Sequence, residues 1–128
     1  DIKYLLLEYE KFLREKAKEP LDIELDQIFS DKYEIEHIWA RDPSKLKLNE
    51  DELKQHEEFK DKLGNLTLAS SSWNKSMGNN PFEKKKEKYK DSCLRVQREL
   101  AKHHSWDKNK IEERTKKLIE FALKRWKI

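Results

Sequence analysis

Ile2, Leu5, Leu6, Tyr9, Phe12 and Leu13 recur at three- and four-residue spacing, which predicts an amphipathic helix over residues 2–17. Pro20 ends it, and residues 21–29 read as a mixed linker. The period then changes. From Tyr33 to Ile38 the pattern alternates, with Tyr33, Ile35 and His37 on one face of a short strand and Glu34, Glu36 and Ile38 on the other. Leu63-Gly64-Asn65-Leu66-Thr67-Leu68 reads as a partner strand, Leu66 and Leu68 toward the core and Asn65 and Thr67 away from it. The strands are expected over residues 32–37 and 65–69.

Helical signals fill the rest. Arg41-Asp42-Pro43-Ser44 is turn chemistry, and Asn49 with Glu52 has the spacing of a capping box that opens a helix running to about Leu63. Gly64 stands where such a helix wants a residue able to take positive φ. Trp73-Asn74-Lys75-Ser76 opens a short helix that Gly78 stops. Asn80 and Pro81 supply an N-cap and first turn for a helix with Phe82, Lys86 and Tyr89 on one face. Asp91 or Ser92 caps the next helix, which runs amphipathically until His103-His104. Asp107 caps the last, whose Ile111, Leu118, Ala122 and Trp126 form one stripe. The expected fold class is α+β, mostly helical: a two-stranded antiparallel hairpin clasped by five or more helices.

A chain of 128 residues is one domain, and with 35% hydrophobic and 43% charged residues its core must be small. It divides into an N-terminal helix and linker (1–30), a central core (31–90) and C-terminal helices (91–128). The net charge of +3 is too balanced to argue for a nucleic-acid partner by itself. The single cysteine, Cys93, excludes an intrachain disulfide and any multi-cysteine zinc module, and it reads as a buried or bland thiol in a helical pattern. No run approaches the ~18 apolar residues that span a bilayer, and no signal-peptide pattern opens the chain, so a cytoplasmic protein is the default. Because the sequence enters helical pattern directly at Asp1, we read it as the C-terminal part of a longer protein.

Glu36-His37 at a strand end sets a hard-metal ligand beside a base that is mostly neutral at pH 7. Asn65 and Asn74 add amide groups in order along the chain. Each has a plainer reading: Glu36-His37 as a surface pair, Asn65 as a turn residue after Gly64, Asn74 as a helix-start residue. Lys84-Lys85-Lys86 with Lys88 and Lys90 is a basic run of the kind that usually forms a solvated face. His56, His103 and His104 have no partner at ligand spacing. The four tryptophans are most simply core, though Trp39 and Trp73 flank the candidate site and either could stack on a base. One difficulty is geometric. Neighbours on a strand point to opposite faces, so Glu36 and His37 meet one phosphate only if the strand ends or bulges there.

This order of Glu36-His37, Asn65 and Asn74 resembles the HNH (ββα-metal) endonucleases. The wider pattern adds Asn80-Pro81-Phe82, Lys85 and Tyr89, then Trp106, Ile111, Arg114, Leu118, Ala122 and Trp126. It is similar to the C-terminal nuclease domain of modification-dependent (type IV) restriction enzymes and related phage-defence proteins, over most of residues 33–128. Ala40 stands where many members have proline three residues after the histidine. The resemblance implies a divalent-metal-dependent DNA endonuclease with a ββα-metal core. In it His37 is the general base, Asn65 braces the hairpin, and Glu36 and Asn74 hold Mg²⁺ or Mn²⁺. Lys75 and Lys85 contact substrate phosphate. DNA, including modified phage DNA, is the implied partner, together with an N-terminal sensing or nucleotide-hydrolysing domain of the same protein and no membrane. The rival is a catalytically silent nuclease-like domain that binds DNA or protein.

Overall fold

In the computed structural model, which describes residues 1–19 and 33–126, the alternating stretch forms β1 (Tyr33–His37). It pairs antiparallel with β2 (Leu66–Ser70) in a two-stranded sheet. Six α-helices surround the hairpin among the described residues: α1 (Ile2–Ala17), α2 (Glu50–Phe59), α3 (Ser71–Met77), α4 (Phe82–Tyr89), α5 (Arg95–Leu100) and α6 (Lys108–Trp126). The mostly helical α+β architecture is as the sequence led us to expect. Pro20 and the linker over 21–29 lie outside the described residues.

Two apolar clusters sit around the sheet. Leu6, Leu7, Tyr9 and Leu13 of α1 pack with Leu66 and Leu68 of β2, Val96 of α5, and Leu118 and Phe121 of α6. Ile35 of β1 lies against this cluster, so the Ile35–Leu68 side of the hairpin faces α1 and α6. A second cluster joins Ile38 and Trp39, just past β1, to Phe59, Phe82, Tyr89, Leu100, Trp106 and Ile111. Each large side chain so buried contributes about 1.5–3 kcal/mol.

Several faces differ in detail from their sequence patterns. In α6 the buried positions are Ile111, Leu118 and Phe121, while Trp126 is 39% exposed. Phe121 sets its ring edge-on to Tyr9 with centroids 5.2 Å apart, which turns Ala122 to the border of the stripe. In α4 the inward face is Phe82, Lys85 and Tyr89 rather than Phe82, Lys86 and Tyr89. Lys85 and Lys86 suit the helical period between Phe82 and Tyr89 equally well, and the difference lies in the partner: Lys85 Nζ meets the buried Glu36 carboxylate.

Capping shows the same mixture. The Asn49–Glu52 box forms in both directions, at 2.8 and 3.0 Å, but α2 ends at Phe59. Gly64 then lies in a short 3-10 turn (Leu63–Asn65) without positive φ. Its requirement is close approach: a Cβ there would stand 2.0 Å from the Ile111 carbonyl oxygen on α6. Asn80 does not cap α4, which has Pro81 at its N-cap position and no side-chain cap bond. Nor do Asp91 or Ser92 cap α5. That duty falls to Glu10 of α1, whose buried carboxylate accepts from the backbone N–H groups of Arg95 (3.0 Å) and Val96 (2.8 Å). Asp107 caps α6 through Asn109 and Lys110, as expected. Cys93 is exposed between α4 and α5, not within a helix.

Candidate active site at the end of the hairpin

His37 closes β1, and its Nε2 lies 2.9 Å from Asp61 Oδ1, just beyond α2. That bond holds the Asp61 carboxyl below its ordinary value, so the aspartate is ionised at neutral pH and only accepts. Nε2 therefore carries the proton, and Nδ1 is left as the basic nitrogen. A carboxylate that fixes a histidine tautomer is a recurrent arrangement around working imidazoles.

The backbone leaving His37 is pinned by Asn65, which has no solvent exposure. Its Oδ1 accepts from the Trp39 N–H (2.7 Å) and from Trp106 Nε1 (3.0 Å). Its Nδ2 donates to the carbonyls of Trp39 (3.0 Å) and Lys60 (2.8 Å). One amide thus uses its whole bonding capacity on the loop after the histidine, the end of α2 and the Trp106 ring. The turn carrying Asn65 is in turn held by α6: Arg114 donates to the carbonyls of Gly64 (3.0 Å) and Leu66 (2.6 Å), and Thr115 accepts from the Gly64 N–H (2.8 Å). His56 completes the support, its ring 2.6 Å from the carbonyl of Ala40, the residue standing where many members of the resembled family have proline.

Glu36 is placed differently from the expectation. The strand pairing runs unbroken through Glu36↔Thr67 and His37↔Leu66, so there is no bulge and the two side chains keep to opposite faces. Glu36 is fully buried. One carboxylate oxygen receives Lys85 Nζ and the other receives the Tyr89 hydroxyl at 2.6 Å. Lys85 also donates to the carbonyls of His37 (2.5 Å) and Ile38 (3.2 Å). Burial pushes Glu36 up and Lys85 down from their ordinary values, and each charge opposes the shift of the other. Glu36 therefore does not meet Asn74, and Lys85 does not face substrate. Thr67, paired with Glu36, is buried too and not turned to an open site.

Asn74 lies on α3, and the carboxylate beside it is Glu34: Nδ2 donates to Glu34 Oε1 at 2.8 Å. Asn74, Lys75 and His37 line one cleft of about 330 Å³, to which Arg41 and Lys45 also contribute. Three cations beside a histidine and an amide suit a phosphate. The sequence reading passed over Arg41, Lys45, Glu34 and Asp61. Arg41 and Lys45 flank the recognised Asp42-Pro43-Ser44 turn, which offered a signal for the first two.

A hard cation fits part of the expected donor set. Among the described residues no group of three or more His, Cys, Asp and Glu side chains converges on one point. Both Glu36 oxygens are committed to donors, so Glu36 does not fit as a ligand. Asn74 does: Gly78 leaves space beside it, since a Cβ there would stand 2.8 Å from Asn74 Oδ1.

No helix among the described residues is long and apolar enough to cross a membrane. Comparison with curated proteins and with solved structures finds no match. The family model for the C-terminal domain of GmrSD restriction endonucleases matches residues 1–121, nearly the whole chain. With its hairpin, its bracing asparagine and the basic cleft beside His37 in place, the chain belongs to the family of GmrSD restriction endonuclease C-terminal domains.

Proposed function

We propose that this domain is a divalent-metal-dependent endonuclease that hydrolyses or nicks DNA in a restriction or anti-phage defence system. The observation that carries the reading is His37, held by Asp61, lining a cleft together with Asn74, Lys75, Arg41 and Lys45. In the proposed reaction His37 Nδ1 takes a proton from water, the water oxygen bonds to phosphorus, and the bond to the 3′ oxygen breaks. Asp61 holds the imidazole in the tautomer that leaves Nδ1 basic. Lys75, Arg41 and Lys45 neutralise phosphate, and Asn65 keeps the His37 loop in position. Mg²⁺ or Mn²⁺, when bound at Asn74, supplies positive charge for the phosphate and departing oxygen. DNA, including modified phage DNA, is the proposed substrate in the cytoplasm. An upstream sensing or nucleotide-hydrolysing domain supplies recognition, because contacts to phosphate carry no sequence information.

The burial of Glu36 favours the rival reading of a silent domain, so activity needs a direct test. Supercoiled plasmid with Mn²⁺ should be nicked by the wild-type domain, and His37→Ala should reduce the rate by about 10²–10⁴-fold, as loss of a general base does. Equal nicking by the two proteins would remove His37 from the chemistry. Clean preparations that never nick would establish the silent reading.

A further inference from the structure

Glu34 and Glu36 share one face of β1, because strand side chains repeat every two residues. Their surroundings are opposite. Glu36 is sealed in and neutralised by Lys85, with Tyr89 on its second oxygen. Glu34 is exposed, and its carboxylate accepts from Asn74 Nδ2 at 2.8 Å and from Ser71 Oγ at 3.3 Å. Moving the ligating carboxylate back by two residues keeps it on the same face of the hairpin and brings it to α3.

The Asn74 amide is nearly symmetric in shape, and its oxygen and nitrogen exchange places by a half-turn about the last bond. After that turn Oδ1 faces the Glu34 carboxylate, and two oxygens converge where an N–H donor now fills the gap. Gly78 gives the amide room, since a Cβ at that position would stand 2.8 Å from Oδ1 and 2.5 Å from the Asn74 carbonyl. One carboxylate with one amide oxygen, the remaining positions taken by water and phosphate, matches the sparse ligation that Mg²⁺ and Mn²⁺ accept at phosphate sites. We propose that Glu34 and Asn74 are the protein ligands of the divalent cation, and that Glu36 is a structural anchor which never reaches it. This rests on the nuclease reading above and names a ligand of the same site.

The test is Mn²⁺ binding to the 128-residue chain without DNA, followed by the electron-paramagnetic-resonance signal of free Mn²⁺, with circular dichroism to establish folding. Glu34→Gln should weaken binding by at least the roughly tenfold that even an outer-shell loss costs, at an unchanged Tm. Asn74→Asp should tighten it, by replacing an amide oxygen with a carboxylate. Glu36→Gln should lower Tm yet leave the folded protein's affinity at the wild-type value. Wild-type affinity in Glu34→Gln, or loss confined to folded Glu36→Gln, overturns the assignment, as does a wild-type chain that binds no Mn²⁺. Nicking that persists in EDTA would overturn the ligand pair and leave the nuclease. Mn²⁺ binding that depends on Glu34, in a chain that cuts no DNA, would keep the ligand pair and end the nuclease reading.

Discussion

Lys85 and Glu36 meet inside the protein, both without solvent exposure, and the same ammonium group reaches the carbonyls of His37 and Ile38. A helix from the basic run is thereby tied to the backbone that carries the candidate base. Removing one member of a buried pair leaves the other charged without compensation, at about 3–5 kcal/mol. Lys85→Met should therefore lower the midpoint of urea unfolding sharply. Lys85→Met combined with Glu36→Met should recover much of the loss, because an apolar pair needs no compensation. A single variant as stable as wild type would show that the pair is not formed.

Asp61→Asn separates orientation from folding. The aspartate is exposed, so Tm at pH 7 should change little, whereas nicking should slow by about tenfold or more as the imidazole loses its tautomer preference. The acid behaviour has a definite sign. The Asp61 carboxyl is depressed in the folded protein by its bond with His37, so its contribution is present above the usual carboxylate value of about 3.9 and is lost as pH falls through the lower folded value. Asp61→Asn should lack that part of the acid loss. Unchanged activity in Asp61→Asn would remove Asp61 from the site.

Asn65→Ala strands four partners at once: the Trp39 N–H and carbonyl, the Lys60 carbonyl and Trp106 Nε1. Each buried group left unsatisfied costs about 1–3 kcal/mol, so both stability and activity should fall together. His37→Ala should instead lose activity alone. Thermal melts beside plasmid assays distinguish the two. A stable, inactive Asn65→Ala would make Asn65 a reactant rather than a brace.

Gly64→Ala adds one methyl group against the Ile111 carbonyl and Thr115 of α6. With backbone as the obstacle, relief needs α6 to move, at about 1–3 kcal/mol or more. A drop in Tm should result, and unchanged melting would mean that α6 is not seated there.

Binding of this domain to DNA should weaken steeply as salt rises, with little preference among sequences, because the proposed contacts from the cations lining the cleft, Arg41, Lys45 and Lys75, are to phosphate. Discrimination between modified and unmodified plasmids should appear only with the proposed upstream domain attached. Filter binding across a salt series, on both plasmids, checks this. Sharp discrimination by residues 1–128 alone would place recognition within them.

What could be read from the sequence was whatever rests on local period. The helix over residues 2–17, the alternation through His37 and the Asn49–Glu52 box each depend on neighbours within a few residues, and each is found in the structure. The fold class followed from the same signals. Glu10 capping α5 was illegible because its partners lie 85 and 86 residues away. Lys85 was hidden among Lys84 and Lys86, because Lys85 and Lys86 flank the Phe82–Tyr89 face equally and the Glu36 carboxylate that receives Lys85 lies 49 residues away. Glu34 and Glu36 look alike in sequence as well. Their difference lies in which helix comes to rest against each.

Asn65 holds Trp39, Arg114 and Thr115 hold the turn under Asn65, and all of this stands two residues from His37. The order of synthesis gives that linkage a meaning of its own. The strand bearing His37 leaves the ribosome early, but the turn beside it stays untethered until Arg114 and Thr115 have emerged and folded onto it. A nascent or truncated chain thus carries every proposed catalytic residue without the frame that aligns them. The last helix is therefore the late-arriving part of the frame around His37, and a chain cut short before Arg114 holds its candidate site residues unaligned.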